Sequence, residues 1–140
     1  MARILKATNL NVYYGAIHAI KDVSFEVNEG EIVSLIGANG AGKSTILKTV
    51  SGLMHPKSGT IEFMGKDIAH MEPNKIVTKG LVHVPEGRRV FAHMSVMENI
   101  EMGAYILGKA PEEAVEDVFT RFPRLKERRK QEAGTLSGGE

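Results

Sequence analysis

Eight consecutive residues carry the sharpest chemistry in the sequence: Gly37-Ala38-Asn39-Gly40-Ala41-Gly42-Lys43-Ser44, with Thr45 following. They satisfy the spacing G-x-x-x-x-G-K-[ST] of a phosphate-binding loop. Glycines open backbone conformations denied to residues with a Cβ, so successive amide N–H groups can turn inward on phosphate oxygens. A helix starting near Lys43 adds its unpaired N-terminal amides and the positive end of its dipole. Lys43 is then placed to reach β- and γ-phosphates, and the Ser44 hydroxyl to ligate Mg²⁺. The alternative, a glycine turn that merely joins a strand to a helix, does not account for flanks that are right on both sides. The loop predicts a nucleotide site.

The elements around the loop must hold it in place. Val23, Phe25 and Val27 alternate with Ser24 and Glu26, the pattern of a half-buried strand, which ends at the turn Asn28-Glu29-Gly30. Residues 4–14 are also rich in β-formers and end at Gly15. Residues 31–36 are a short apolar run with β-branched members, which suits a buried central strand running into the loop. Residues 44–53 carry Ile46, Leu47 and Val50 at helical spacing and predict the helix leaving it. Farther on, 60–64 read as a short strand, 73–79 as a helix with proline in its first turn, and 81–85 as another short apolar strand. Ser95-Val96-Met97-Glu98 matches a capping box, so a helix is expected from there to about Ile106. Pro111-Glu112-Glu113 opens a further helix whose apolar stripe is Ala114, Val115, Val118, Phe119 and Phe122. There is no internal repeat and no low-complexity stretch. The organisation predicted is an α/β nucleotide-binding core with a β subdomain over 1–86 and a helical subdomain over 87–140.

Composition narrows the remaining classes. Of 140 residues, 42% are hydrophobic and 25% charged, ordinary globular usage that argues against a disordered or fibrous chain. Eighteen Lys and Arg against seventeen Asp and Glu leave +1, so global charge makes no case for nucleic acid or an anionic membrane. Arg121, Arg124, Lys126, Arg128, Arg129 and Lys130 form a local basic cluster, but Glu127 and Glu132 interrupt it, and a solvated helix face is expected. The lack of cysteine removes disulfides, thiol nucleophiles and thiolate zinc sites, and fits a reducing compartment. His18, His55, His70, His83 and His93 show no ligand spacing. Met94, Met97 and Met102 read as core filling or partner-facing packing. No apolar run approaches a membrane span, and Met1-Ala2-Arg3-Ile4 lacks the apolar stretch of a signal peptide, so a soluble intracellular protein is expected.

The far end of the sequence makes the reading more specific. Leu136-Ser137-Gly138-Gly139-Glu140 resembles the LSGGQ signature of ATP-binding cassette (ABC) ATPases, with Glu140 at the usual Gln position. Serine and two glycines form a small, amide-rich surface that can approach a phosphate closely. Tyr14, just before Gly15 and upstream of the loop, stands where the family carries the aromatic ring that stacks on adenine. By residue type alone it is a strand aromatic of the core. Val82-His83-Val84-Pro85-Glu86-Gly87-Arg88-Arg89 is similar to the family's Q-loop, with Glu86 in place of Gln. Glutamate can ligate a hard cation, but it adds a negative charge beside the phosphates. Residues 13–20, 85–91 and 94–100 resemble the ATP-binding subunits of branched-chain amino acid importers, and Pro-Glu-Gly-Arg-Arg at 85–89 is the most diagnostic stretch.

The resemblance implies an α/β fold: a P-loop NTPase (ABC ATPase) core with an N-terminal antiparallel β part and a helical subdomain. It also implies C-terminal incompleteness, because the family continues past the signature to the Walker B Asp and the catalytic Glu; no general base is found within 140 residues. The implied cofactors are ATP and Mg²⁺. Tyr14, Gly37, Asn39, Gly40, Ala41, Gly42, Lys43, Ser44 and Thr45 would bind nucleotide, together with Gly138 and Gly139 of the signature. Ser44 and Glu86 would ligate the metal, and Lys43, Glu86 and Ser137 would take part in catalysis. Two ATP-binding subunits, alike or different, would sandwich two ATP molecules, each signature acting on its partner's γ-phosphate. Transmembrane permease subunits would dock on the helical part and the Glu86 loop, a periplasmic or extracellular binding protein would be an indirect partner, and nucleic acid would not. The expected place is peripheral, on the cytoplasmic face of the plasma (inner) membrane, and the expected task is coupling ATP hydrolysis to branched-chain amino acid uptake. The alternatives are a nucleotide-binding module without hydrolysis, or the ATPase of another ABC system. The amino acid carried rests on resemblance alone, since none of these residues could contact leucine, isoleucine or valine.

Overall fold

In the computed structural model, which describes residues 2–140, four strands form one antiparallel sheet in the order β2-β1-β3-β4. Strands β1 (Arg3–Tyr14) and β2 (Ile17–Asn28) make a long hairpin whose turn places Gly15 at φ 56°. Strand β3 (Ser58–Phe63) pairs with the other side of β1, and β4 (Lys66–Asp67) closes that edge. The antiparallel β part expected at the N-terminus is therefore present. By compactness the chain divides into two units, one ending at Val84 and the other being Pro85–Glu140.

The hairpin is not a simple alternation. Ala7, Leu10 and Val12 are all buried, at spacings of three and then two. The extra residue sits at Asn9, which takes φ 49°, and the register against β2 shifts between Ala7 and Leu10. Such a bulge inserts one residue and returns the strand to its core-facing phase. Strand β2 compensates at Asp22 (φ 51°), and the Asn9 Nδ2 group donates to Asp22 Oδ1 at 2.6 Å, tying the two irregularities together. After the bulge Leu10, Val12 and Tyr14 share one face, while Tyr13 turns to the other and stacks on His18 at 4.2 Å between ring centroids.

Helix α1 (Lys43–Val50) covers the sheet with Thr45, Ile46, Thr49 and Val50. Helix α2 (Pro73–Thr78) begins with the expected proline in its first turn and buries Ile76. Their apolar faces join Leu10, Val12, Ile20 and Ile61 in one core. Two expected strands do not form. Residues 31–36 and 81–85 have no regular secondary structure, and Ile32 and Ile36 are each 95% exposed. Apolar β-branched composition supplies the propensity for a strand, but a strand exists only where a neighbour accepts and donates its ladder bonds. Among the described residues no ladder reaches either segment.

The second unit is helical, as expected. Ser95 caps α3 (Val96–Met102) in a full capping box: the Ser95 N–H donates to Glu98 Oε2 at 2.7 Å and the Glu98 N–H to Ser95 Oγ at 3.1 Å. The helix ends at Gly103, short of Ile106, where glycine weakens the helix and the next turn tightens to a 3₁₀ segment, Tyr105–Leu107. Helix α4 (Glu112–Arg121) is succeeded by α5 (Pro123–Glu127). Pro123 pushes Phe122 out of the helical region (φ −128°, ψ 74°), so Phe122 leaves the apolar stripe and is 58% exposed, while Phe119 is buried. The basic cluster beyond it is largely exposed and pairs locally: Arg121 with Asp117 at 2.8 Å and Arg124 with Glu127 at 3.9 Å. No helix among the described residues is long and apolar enough to cross a membrane.

Candidate functional site

The phosphate loop leaves residues 31–36 and ends in the first turn of α1. Gly42 is its hinge. It takes φ 105° as the N-cap of α1, and a Cβ there would overlap Ile20 Cδ1 and stand 3.2 Å from the Ala19 carbonyl oxygen on β2. Only glycine meets both demands, the left-handed backbone and the close approach to the hairpin. Asn39 and Gly40 (φ 83°) make the outer turn, closed by the Ala41 N–H donating to the Ala38 carbonyl at 3.0 Å. The Lys43 ammonium folds back into the loop and donates to the Gly37 and Ala38 carbonyls. Two carbonyl oxygens at the start of the loop thus hold the ammonium within it, where its positive charge would meet an entering anion such as a phosphate. Ser44 is half-buried in the first helical turn.

Tyr14 meets this loop from the hairpin. Thr45 is buried, and its hydroxyl donates to the Tyr14 phenol oxygen at 3.3 Å, while the Tyr14 residue remains 45% exposed. The β1 bulge is what places Tyr14 on the α1 side of the sheet. Residues 31 positions apart in the sequence are so joined at one place, and the core-aromatic reading of Tyr14 gives way to a half-open ring fixed at its hydroxyl end.

The other expected site residues belong to the second unit. Glu86 is exposed on the Pro85–Arg89 loop, where the Arg89 Nε donates to its carbonyl at 3.1 Å. Arg88 of the same loop reaches the signature: a Cβ on Gly138 would lie 2.7 Å from its Nη2. In the signature itself Glu140 folds back on Ser137. The Ser137 N–H donates to Glu140 Oε2 at 2.9 Å, and Arg128 Nε pairs with Glu140 Oε1 at 2.9 Å. The hydrogen bond from the Ser137 backbone, then that from its hydroxyl, hold the Glu140 carboxyl below its ordinary 4.5; Arg128 and Arg124 add to this, and desolvation opposes it. Gly139 is exposed, with open space where a Cβ would point.

The part played by Glu140 was not read from the sequence, although the signal is there. Ser137-Gly138-Gly139-Glu140 is the same S-x-x-E pattern as Ser95-Val96-Met97-Glu98, whose reciprocal bonds were expected and found. Arg128, lost within a run of basic residues, gave no comparable signal.

The sequence pattern of the ABC transporter family matches residues 20–140. The chain is 48% identical over 138 residues to the high-affinity branched-chain amino acid transport ATP-binding protein BraG of Pseudomonas aeruginosa, covering 98% of this chain and 59% of that protein. It is 34% identical to the probable branched-chain amino acid transport ATP-binding protein LivF of Archaeoglobus fulgidus, covering 98% and 58%. Among solved structures, a nucleotide-free ATP-binding cassette from an ABC transporter superposes with a TM-score of 0.81 at 32% identity, over 98% of this chain and 60% of that one. An ATP-binding cassette in its ADP conformation gives 0.81 at 32% identity, over 99% and 61%. The chain thus spans about three-fifths of the length of the relatives it matches. With the phosphate loop, the signature and the family pattern all on one chain, it belongs to the ABC transporter ATP-binding family.

Proposed function

We propose that this chain is part of the ATP-binding subunit of an ABC importer that couples ATP hydrolysis to branched-chain amino acid uptake. What supports the reading is the loop at 37–44, with a lysine folded into it and a tyrosine tethered beside it, in a chain 48% identical to BraG. The loop amides and Lys43 bind the phosphates, and Tyr14 presents the exposed face of its ring to the base. The Ser44 hydroxyl is one hard oxygen donor for Mg²⁺. Mg²⁺ would be held there together with phosphate and water oxygens, the ligands this cation usually keeps. Mg²⁺ held by Ser44 would supply positive charge against the phosphates. Glu86 is a further candidate oxygen ligand on its exposed loop.

In this reading Ser137, Gly138 and Gly139 face the γ-phosphate held by a second ATP-binding subunit, and catalysis depends on that assembly because phosphoryl transfer is mostly positioning and electrostatics. Residues 1–86 form the nucleotide-binding part. Residues 87–140 and the Glu86 loop receive the permease, which places the subunit on the cytoplasmic face of the membrane; a substrate-binding protein acts through that permease. Lys43→Ala is expected to abolish ATP binding measured by calorimetry, and binding equal to the parent's would sink the assignment. Uptake of labelled leucine, isoleucine and valine by cells lacking the gene tests the transport step. Undiminished uptake of all three would overturn it.

A further inference from the structure

The signature of this chain ends in glutamate where the family pattern has glutamine, which sets a negative charge next to residues that meet a phosphate. We propose that Arg128 is the counter-charge that makes this glutamate workable, and that the Arg128–Glu140 pair is a positioning device for Ser137. The inference rests on the ATPase reading above.

The geometry uses both carboxylate oxygens. One accepts from the Ser137 N–H at 2.9 Å and the other pairs with Arg128 Nε at 2.9 Å. A glutamine could keep one of these bonds through its carbonyl, but its NH₂ would then face the guanidinium, donor against donor. Arg128 is itself held. Its Nη1 donates to Gln131 Oε1 at 3.3 Å, Gln131 Nε2 donates to Thr135 Oγ1 at 2.8 Å, and the Gln131 carbonyl accepts from the Val96 N–H at 2.9 Å. The signature serine is thereby fastened, through the side chains of Glu140, Arg128 and Gln131 and the Gln131 carbonyl, to the first turn of α3. This is also the most shielded ion pair described: its side chains are 37% and 14% exposed, against 48% to 71% for the members of the other three. An exposed pair would carry little energy, whereas one in a hydrogen-bonded network couples its members. The two groups cancel, so the signature presents its serine and glycines to an anion without a net negative charge.

The test is a double-mutant cycle in the full chain as the cell makes it, purified with its transporter assembly, reading the ATP hydrolysis rate and KM. Arg128→Met is expected to slow hydrolysis about fivefold where Glu140 is present, and less than twofold where residue 140 is changed by Glu140→Gln. Arg128→Lys, which keeps the charge, is expected to fall between Arg128→Met and the parent. A purely structural arginine would cost the same in both backgrounds, and that result, or an Arg128→Met variant as fast as the parent, overturns the proposal. Lys43→Ala is run alongside. If the parent shows no hydrolysis that Lys43→Ala removes, the ATPase reading itself fails and takes the pair's role with it.

Discussion

Tyr14 joins two properties that one residue type supplies together: a flat ring for stacking and a hydroxyl for fixing it. The Thr45 hydroxyl holds the phenol at 3.3 Å, so removing the ring and removing the tether are separable changes. Tyr14→Ala is expected to weaken ATP binding by about 1–3 kcal/mol, the worth of base stacking on an aromatic. Tyr14→Phe keeps the ring and is expected to lose less than about 1 kcal/mol, the net value of one hydrogen bond. Titration of both variants with nucleotide checks this, and equal losses would mean the ring does not stack. Glu140 offers a pH prediction whose sign follows from its depressed pKa. Its bonds to Ser137 are fully present above its ordinary 4.5 and are lost only as pH falls through a lower midpoint. Carbon-detected NMR of the Glu140 carboxyl should show that midpoint below 4.5, and one at or above it would contradict the folded-back geometry. At this scale the loop at 37–44 was legible as a motif because its pattern is confined to eight contiguous residues. The Tyr14–Thr45 and Arg128–Glu140 contacts were not, because each depends on a fold that joins distant positions.

Among the elements, local signals held and non-local ones did not. The capping box at Ser95 and the proline at the start of α2 involve residues within one turn, and both appear as read. Ser95→Ala is expected to destabilise the second unit by about 1 kcal/mol, measurable by urea denaturation, with a change near zero implying that the cap is dispensable. Gly42→Ala combines a left-handed backbone with overlap on Ile20, so it should reduce nucleotide affinity more than Ala41→Gly does in the same loop. The strand expected at 31–36 failed for the opposite reason to the cap's success. Its apolar pattern is complete in the sequence, but its hydrogen bonds need another segment, and no composition or period says whether one is beside it. Both strands of the hairpin were legible as β-rich segments, β2 only in its second half, whereas their pairing with each other and the bulge at Asn9 that sets the phase were not.

Across the molecule, burial is uneven. Leu10, Val12 and Ile61 are fully buried in the core of the first unit, whereas Ile32, Ile36, Val82 and Val84 are 71% to 95% exposed in the two segments without strand partners. In the 140-residue chain, Leu10→Ala is expected to cost about 2–5 kcal/mol. Ile36→Ser should change stability by less than about 0.5 kcal/mol, the range for exposed positions, and should reduce binding of a hydrophobic dye. A large loss of stability from Ile36→Ser, seen in thermal unfolding, would mean that this segment is packed in solution. The same unevenness separates what a sequence can state about a whole chain: it ranks residues by apolarity, but which apolar residues find cover is decided by topology. Topology also decides which tyrosine arrives at the phosphate loop. Tyr13 and Tyr14 stand on opposite faces because successive strand residues alternate, and the bulge at Asn9 decides that Tyr14, not Tyr13, is the one turned to α1. The same phase buries Leu10 and Val12, so a slip that exchanged the tyrosines would also turn these two residues out of the core, and the packing of the sheet thereby guards which tyrosine stands beside the loop.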